Sequence, residues 1–346
     1  MTVRSACAVL LALVCLAGCE RAASESETPE VVLYSSADDY VLREVVADFE
    51  RATGIDVRLV GDTEATKTTG LVTRLRAETD DPQADVWWSS EPFGTIALAR
   101  EGVLDPATAE ILGDRRDQWP ARLVGRDGSW VGIAQRARVL GYSTTRTPEP
   151  PTTLAELTAP EWRGRVGIAR PQFGTTRGHM AMLVEAWGPE AFEAWLAAMR
   201  DNGLRIYDGN ATVVRKIAEG EIDVGLTDTD DVWVAQRNGW DVGYVFEATE
   251  PASEATFSTG PLLIPNTVSI VRGAPNPDAA RRLAEYLILG PAERILRASD
   301  SRNYPVKPEV EPNAEAPSPE SPAAAPLDDV ADRVDEAMAI CERVLG

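Results

Sequence analysis

Three aspartates fall within four residues of LTDTDDVW (Leu226–Trp233), at Asp228, Asp230 and Asp231, directly behind the apolar alternation Ile222, Val224, Leu226. Carboxylates this close resist ionising together unless a cation, a proton or a strong hydrogen-bond donor joins them. A partner of that kind, a cation among them, is therefore expected at Asp228, Asp230 and Asp231. Four more polar clusters close apolar, strand-like runs: SSADDY (Ser35–Tyr40), SSE (Ser89–Glu91), PQFGTTRGH (Pro171–His179) and YDGN (Tyr207–Asn210). Open α/β sheets bind ligands outside the carboxyl ends of their strands, so the five clusters should share one cleft. Its acidic wall holds Asp38, Asp39 and Glu91. Its other wall, the Gly174-Thr175-Thr176 turn and Asn210, reads as helix N-termini, whose backbone N–H groups favour anions. Such a cleft suits a cation accompanied by a small anion. Singly, the residues have plainer roles: Asp38 or Asp39 can cap a helix, Glu91 can sit in a first turn, and Asn210 reads as a cap. Three neighbouring aspartates exceed what one cap uses.

The elements that must position these clusters alternate. VVLYSS (Val31–Ser36) reads as a buried strand, and Val41, Leu42, Val45, Val46 and Phe49 share one helix face that Thr53 and Gly54 end. Strands IDVRLV and ADVWW, a helix near Lys67–Arg76 and another from Pro92 to Glu101 continue the pattern, which predicts an α/β lobe. The extended run Gly128–Ser143 and the prolines of TPEPPTTLAEL mark a crossing into a second lobe. That lobe has the strand RVGIA, helices over Thr175–Trp187 and Phe192–Arg200, the strand LRIY, and a helix from Asn210 to Gly220. GPLLIPNTVSIVRG (Gly260–Gly273) crosses back, and two crossings make a hinge that closes on ligand. The expected organisation is a tether over 19–29, lobe one over 30–133 and 265–300, and lobe two over 134–264. A helical segment broken at Gly290-Pro291, a proline-rich linker (301–326) and a C-terminal helix (327–346) capped at Asp328/Asp329 follow.

The N-terminus predicts export. Arg4, the apolar Ala8–Leu16 and the small residues of LAGC form a signal peptide over 1–18, too short to span a bilayer. LAGC resembles a bacterial lipobox, in which Cys19 would take the lipid. Processing then leaves Cys341 as the single thiol, with no disulfide and no Cys-rich metal site. A net charge of −21 argues against nucleic acid and against a basic membrane-surface patch. The single histidine, His179, removes multi-His metal sites, and its run of Met180, Met182 and Leu183 suits packing better than a Ser-His-Asp triad. An EF-hand loop fails because Trp233 stands where glycine is required. Trp187, Trp195 and Trp233 fall at core-like positions, which leaves Trp87 or Trp88 to face the cleft.

From Val31 to Leu296 the order of motifs resembles the periplasmic solute-binding proteins of ABC importers, extracellular solute-binding family 1, in the ferric-iron-binding branch. The pieces are VVLYSS…FERATGIDVRLV, ADVWWSSEPFGTIALAREGVL, FGTTRGHMAML, GNATVVRKIAEGEIDVGLTDTDD and IPNTVSIVRGAPNPDAARRLAEYLI. The resemblance implies the type II periplasmic-binding-protein fold, two α/β lobes on a two-crossing hinge. It implies a monomeric receptor outside the inner membrane that delivers solute to an ABC permease without chemistry, so not an enzyme. Iron-binding members hold the metal with two adjacent tyrosines, a glutamate and often a histidine, completed by a bound anion. By that resemblance Asp230 and Asp231 stand where the tyrosines would be, Glu91 near the glutamate and Asp38 near the histidine. Thr175, Thr176 and Asn210 lie where the anion would be held. The tyrosine pair is replaced by Asp-Asp, so Fe³⁺ stays chemically sensible but Mn, Ca, Mg, a small organic amine or a phosphorylated solute also suit the site. A rival from another class is a phosphatase of the haloacid dehalogenase type, because VGLTDTDDV matches D-x-D-x-[TV] with Asp228 as nucleophile and Asp230 as acid/base. That motif normally opens its domain, whereas here about two hundred residues of α/β pattern precede it.

Overall fold

The computed structural model describes residues 28–62, 68–247, 260–319, 322–323 and 326–346. The expected leader, Cys19 and most of the tether fall outside them. Strands form where apolar residues run together or alternate, and helices where they recur every three to four positions. β1 (Glu30–Ser35) is buried from Val31 onward and feeds α1 (Asp39–Thr53), which turns Val41, Leu42, Val45 and Phe49 inward. Gly54 ends that helix in the left-handed region at φ 70°, where its N–H reaches the Glu50 carbonyl and a Cβ would be strained. β2 (Asp56–Gly61), α2 (Thr69–Ala77), β3 (Val86–Ser89) and α3 (Pro92–Arg100) continue the alternation. Short 3-10 turns lead to the long β4 (Val131–Ser143). Next come β5 (Val166–Ala169), α4 (Gly174–Trp187), α5 (Pro189–Asp201), β6 (Arg205–Tyr207), α6 (Asn210–Ala218), β7 (Val224–Asp228) and α7 (Thr229–Arg237). β8 (Val242–Phe246), which the sequence reading lacks, precedes β9 (Leu263–Ile270), α8 (Pro277–Ile288), α9 (Ala292–Ala298), α10 (Leu327–Asp332) and α11 (Val334–Leu345).

The sheet shows how the chain crosses. β2, β1 and β3 are parallel neighbours, and β9 lies antiparallel beside β3. β4 serves both halves of the molecule. Val131–Ala137 pair with β9, whereas Arg138–Tyr142 pair with β7 and Val139–Ser143 with β8 on the other edge. Beyond β7 stand β5 and β6, both parallel to it. The first lobe is therefore built on β2-β1-β3-β9-β4 and the second on β8-β4-β7-β5-β6, and the two share one strand.

A bulge interrupts β4 between Ile133 and Gln135, where Ala134 takes φ 34°. Alanine rarely adopts that conformation, so its surroundings must hold it. The Ala134 N–H donates to Glu293 Oε1 (2.7 Å) and its carbonyl accepts from Asn266 Nδ2 (2.7 Å). Beyond the bulge Arg136 and Arg138, two residues apart, project from the same face of the strand. The lobes also meet where α3 approaches α4: a Cβ on Gly178 would come within 2.0 Å of the Phe93 ring.

Trp87 and Trp88 do not form a cleft wall. Both are fully buried, their indole N–H groups donating to Thr95 Oγ1 (2.9 Å) and Asn266 Oδ1 (3.2 Å). The C-terminal helix is two helices broken at Arg333, and Pro326 occupies the cap position expected of Asp328/Asp329. Those aspartates lie in the first turn and pair with Arg126 at 3.1 and 3.2 Å. α10 packs on α3 and α4, and α11 on α4 and α5, so the C-terminal segment touches both lobes. Among the described residues no helix is long and apolar enough to cross a membrane.

Candidate functional site

β7 ends at Asp228, and α7 starts at once, so Asp230 and Asp231 fall in a first helical turn that favours acidic side chains. Asp228, Asp230 and Asp231 each offer an oxygen, and the three lie within 4.8 Å of one another. The fold brings its own cations to this cluster. Arg138 Nη1 donates to Asp228 Oδ1 (2.8 Å), and Arg136 Nε donates to Asp228 Oδ2 (3.2 Å) and lies 3.5 Å from Asp230 Oδ2. Oδ2 also accepts from Thr175 Oγ1 (2.6 Å) and Asn210 Nδ2 (3.1 Å). Burial pushes the Asp228 carboxyl up, but the Arg138 and Arg136 guanidiniums beside it, with the Thr175 hydroxyl, hold it at about 2. Burial likewise works against the Arg136 charge, and the Asp230, Asp228 and Asp38 carboxylates outweigh it.

The sequence reading missed both arginines. The signal was present as QRAR inside an otherwise apolar extended run, where two charges at period two must meet something buried. Arg138 is wholly buried, and its Nε and Nη2 meet no hydrogen-bond partner among the described residues.

The pocket above this cluster is a cavity of about 30 Å³, lined by Asp38, Ser90, Arg136, Thr175, Thr176, Asn210, Asp228, Asp230 and Asp231 among others. Four helices point their N-termini at it, α1 from Asp38, α4 from Phe173, α6 from Gly209 and α7 from Asp228. None of the four has a side-chain cap bond. Their converging N–H groups and dipole ends favour negative charge, which is one reason carboxylates tolerate this place. Asp38 sits at the N-cap position of α1 without capping it and lines the pocket.

Two expected roles change. Asn210 is the first residue of α6 and not its cap; its amide instead ties Thr175 (2.8 Å) to Asp228, while its carbonyl oxygen accepts from Thr176 Oγ1 and Arg138 Nη1 at 3.3 Å. Glu91 does not line the pocket. It caps α3, Oε2 accepting from the Phe93 N–H (2.7 Å) and Oε1 from the Gly94 N–H (2.9 Å), and burial raises its carboxyl against those bonds. It stands just ahead of the first turn expected for it, as the N-cap of α3. His179 is buried in α4 with Nε2 2.7 Å from Glu247 Oε1. The phosphatase constellation is not assembled: Lys307 and the pair Asp328/Asp329, which follow the D-x-D motif in the order that such a phosphatase would use, are engaged elsewhere, Lys307 donating to the Gly290 carbonyl and the aspartates meeting Arg126.

The cluster thus divides its charge. Asp228 is matched by two arginines, and Asp208, at the pocket rim, pairs with Arg170 (2.9 Å). Asp38, Asp230 and Asp231 face the cavity beside Arg136. The arrangement can hold a cation against three carboxylates and an oxyanion against the first turns of α4 and α6.

Comparison with known proteins identifies the family. Residues 44–326 match a family described as bacterial extracellular solute-binding protein. The chain is 30% identical to iron uptake protein A1 of Synechocystis sp. over 293 residues, 81% of this chain and 76% of that one. It is 25% identical to the Fe(3+)-binding periplasmic protein of Serratia marcescens over 286 residues, 80% of this chain and 78% of that one. The crystal structure of iron-bound HitA from Pseudomonas aeruginosa superposes with a TM-score of 0.78 over 91% of this chain and 99% of that one, at 22% identity, which speaks for the fold.

Proposed function

The chain belongs to the bacterial extracellular solute-binding protein family, and from that premise we propose that it is the receptor of an ABC importer for ferric iron carried with a small anion. It is exported, anchored through a lipid on Cys19, works as a monomer and hands its solute to the permease in the inner membrane. The observation that carries the reading is the acidic cluster itself: Asp228, Asp230 and Asp231 offer oxygens within 4.8 Å of one another, and Asp230 and Asp231 line, with Asp38, a pocket at converging helix N-termini. With Asp228 matched by arginines, Asp230 and Asp231, joined by Asp38 at the pocket, supply hard oxygen donors of the kind Fe³⁺ takes. The anion then completes the metal's shell from Thr175, Thr176 and the first turns of α4 and α6. The iron-named relatives support the metal.

A second reading, a phosphorylated amine, is favoured by Arg136, which lines the pocket between Asp228 and Asp230. A guanidinium there suits a phosphoryl group whose ammonium end lies against Asp38 and Asp231. Native mass spectrometry of the freshly purified protein separates the two by mass. Ferric nitrilotriacetate with carbonate should raise the unfolding free energy by about 2.7 kcal/mol at a hundred times the dissociation constant. Asp230→Asn with Asp231→Asn should abolish that gain while the ligand-free protein still folds. Stabilisation that survives the double substitution rejects this site.

A further inference from the structure

Beside the small pocket runs a second, larger recess of about 470 Å³, which shares Asp38, Asp230 and Asp231 with it. Tyr40, behind the N-terminus of α1, stands on the first lobe's side. Trp240, behind α7, stands on the second lobe's side. These residues are 43% and 37% exposed, and with Ile206 they are the exposed large hydrophobics among the described residues. The floor between them is apolar, from Ala211 and Val214 of α6 and Val234 and Ala235 of α7. Four carboxylates line the recess, Asp38, Asp39, Asp230 and Asp231, with no lysine, arginine or histidine among its lining residues. Arg136 and Arg170 line the small pocket instead.

We propose that this groove binds an organic ammonium ion carrying an apolar body, the ammonium against Asp230, Asp231 and Asp38 and the body between Tyr40 and Trp240. The proposal rests on the chain being a solute receptor and not on iron being its solute. Aromatic faces pack well against an apolar body, and hydrocarbon gains by leaving water against them and against the alanine and valine floor. The volume lies within the range of small-molecule sites, whereas a bare metal ion needs none of it. The same four carboxylates repel an anionic chelator, so the groove selects organic cations.

Phenethylammonium chloride is the probe, titrated calorimetrically into wild type, Trp240→Ala, Tyr40→Ala and Val234→Trp, with ferric nitrilotriacetate titrated into each protein in parallel. Expected are saturable probe binding, weakening of about tenfold in each of the two alanine variants, loss of binding in Val234→Trp, and unchanged iron binding in the alanine variants. Iron-loaded wild type should reject the probe, since both use Asp38, Asp230 and Asp231. Val234→Trp fills the groove from its floor and keeps the test decisive if an alanine variant misfolds. Absence of saturable probe binding, or binding indifferent to all three substitutions, overturns the groove. Probe binding without iron binding upholds the groove and rejects iron, and iron binding without probe binding does the reverse.

Discussion

Asp228 ionises at about 2 because two buried guanidiniums outweigh the cost of burying its charge. In the unfolded chain an aspartate titrates near about 4. The folded value is the lower one, so the ionised carboxylate favours the folded state at every pH above the unfolded value. That contribution, on the order of 2 kcal/mol, fades as pH falls from about 4 through about 2. Asp228→Asn should cost about 3 to 5 kcal/mol at pH 7, since Arg136 and Arg138 lose a buried counter-charge. Urea unfolding at pH 7 and again near pH 2 should show the gap between wild type and variant narrowing with acid. A gap that stays constant would mean the ion pairs are not what Asp228 contributes. The arginines also answer the repulsion expected of a ligand-free acidic cluster: Arg136 lies 3.5 Å from Asp230 as well, so the receptor can fold before its solute arrives.

The elements around the pocket have different tasks. α4 and α6 present backbone N–H groups to it, α7 presents carboxylates, and β4 delivers both arginines from one face. α3 holds the serine loop below the site, and Arg136 Nη1 donates to the Ser90 carbonyl at 2.6 Å. Glu91 serves that helix by binding the Phe93 and Gly94 N–H groups. Glu91→Ala should therefore destabilise the protein by about 1 to 2 kcal/mol and leave the affinity for the proposed ferric ligand unchanged. Calorimetric titration beside thermal unfolding reads both, and a loss of affinity without loss of stability would return Glu91 to the metal.

Among the described residues β4 and the C-terminal helices belong to both lobes. α10 is tied to the first lobe by Arg126, and by Arg100 to Asp332 at 2.7 Å. α11 lies on α4 and α5, with Arg343 on Glu193 at 2.7 Å. Val330, Val334, Ile340, Cys341 and Val344 are buried beneath the pair. The exposed ion pairs contribute little, and the apolar side chains dominate. Ending the chain after Pro326 should remove on the order of 5 kcal/mol, measured by urea unfolding, and should loosen both lobes. If stability is unchanged, the pair is a passive tail.

The alternation of strand and helix, the two extended crossings and the five polar clusters at strand ends were legible in the sequence, because apolar periodicity is local and each element reports its own buried face. The clusters also named most of the residues that line the pocket, since the carboxyl ends of neighbouring strands open on one side of a sheet. Which charges meet was not legible. Arg138 and Asp228 stand ninety positions apart, and only the pairing of β4 with β7 places one opposite the other. Whether Glu91 binds a ligand or caps α3 depends on which way one side chain turns, and periodicity carries no such information. The tryptophans divide likewise: Trp87 and Trp88 lie under covering elements, while Trp240 follows the turn that ends α7 and stays at the groove. Sequence determined the faces, and tertiary packing decided the partners, because a buried charge is satisfied by whatever the fold brings within hydrogen-bond reach across the chain.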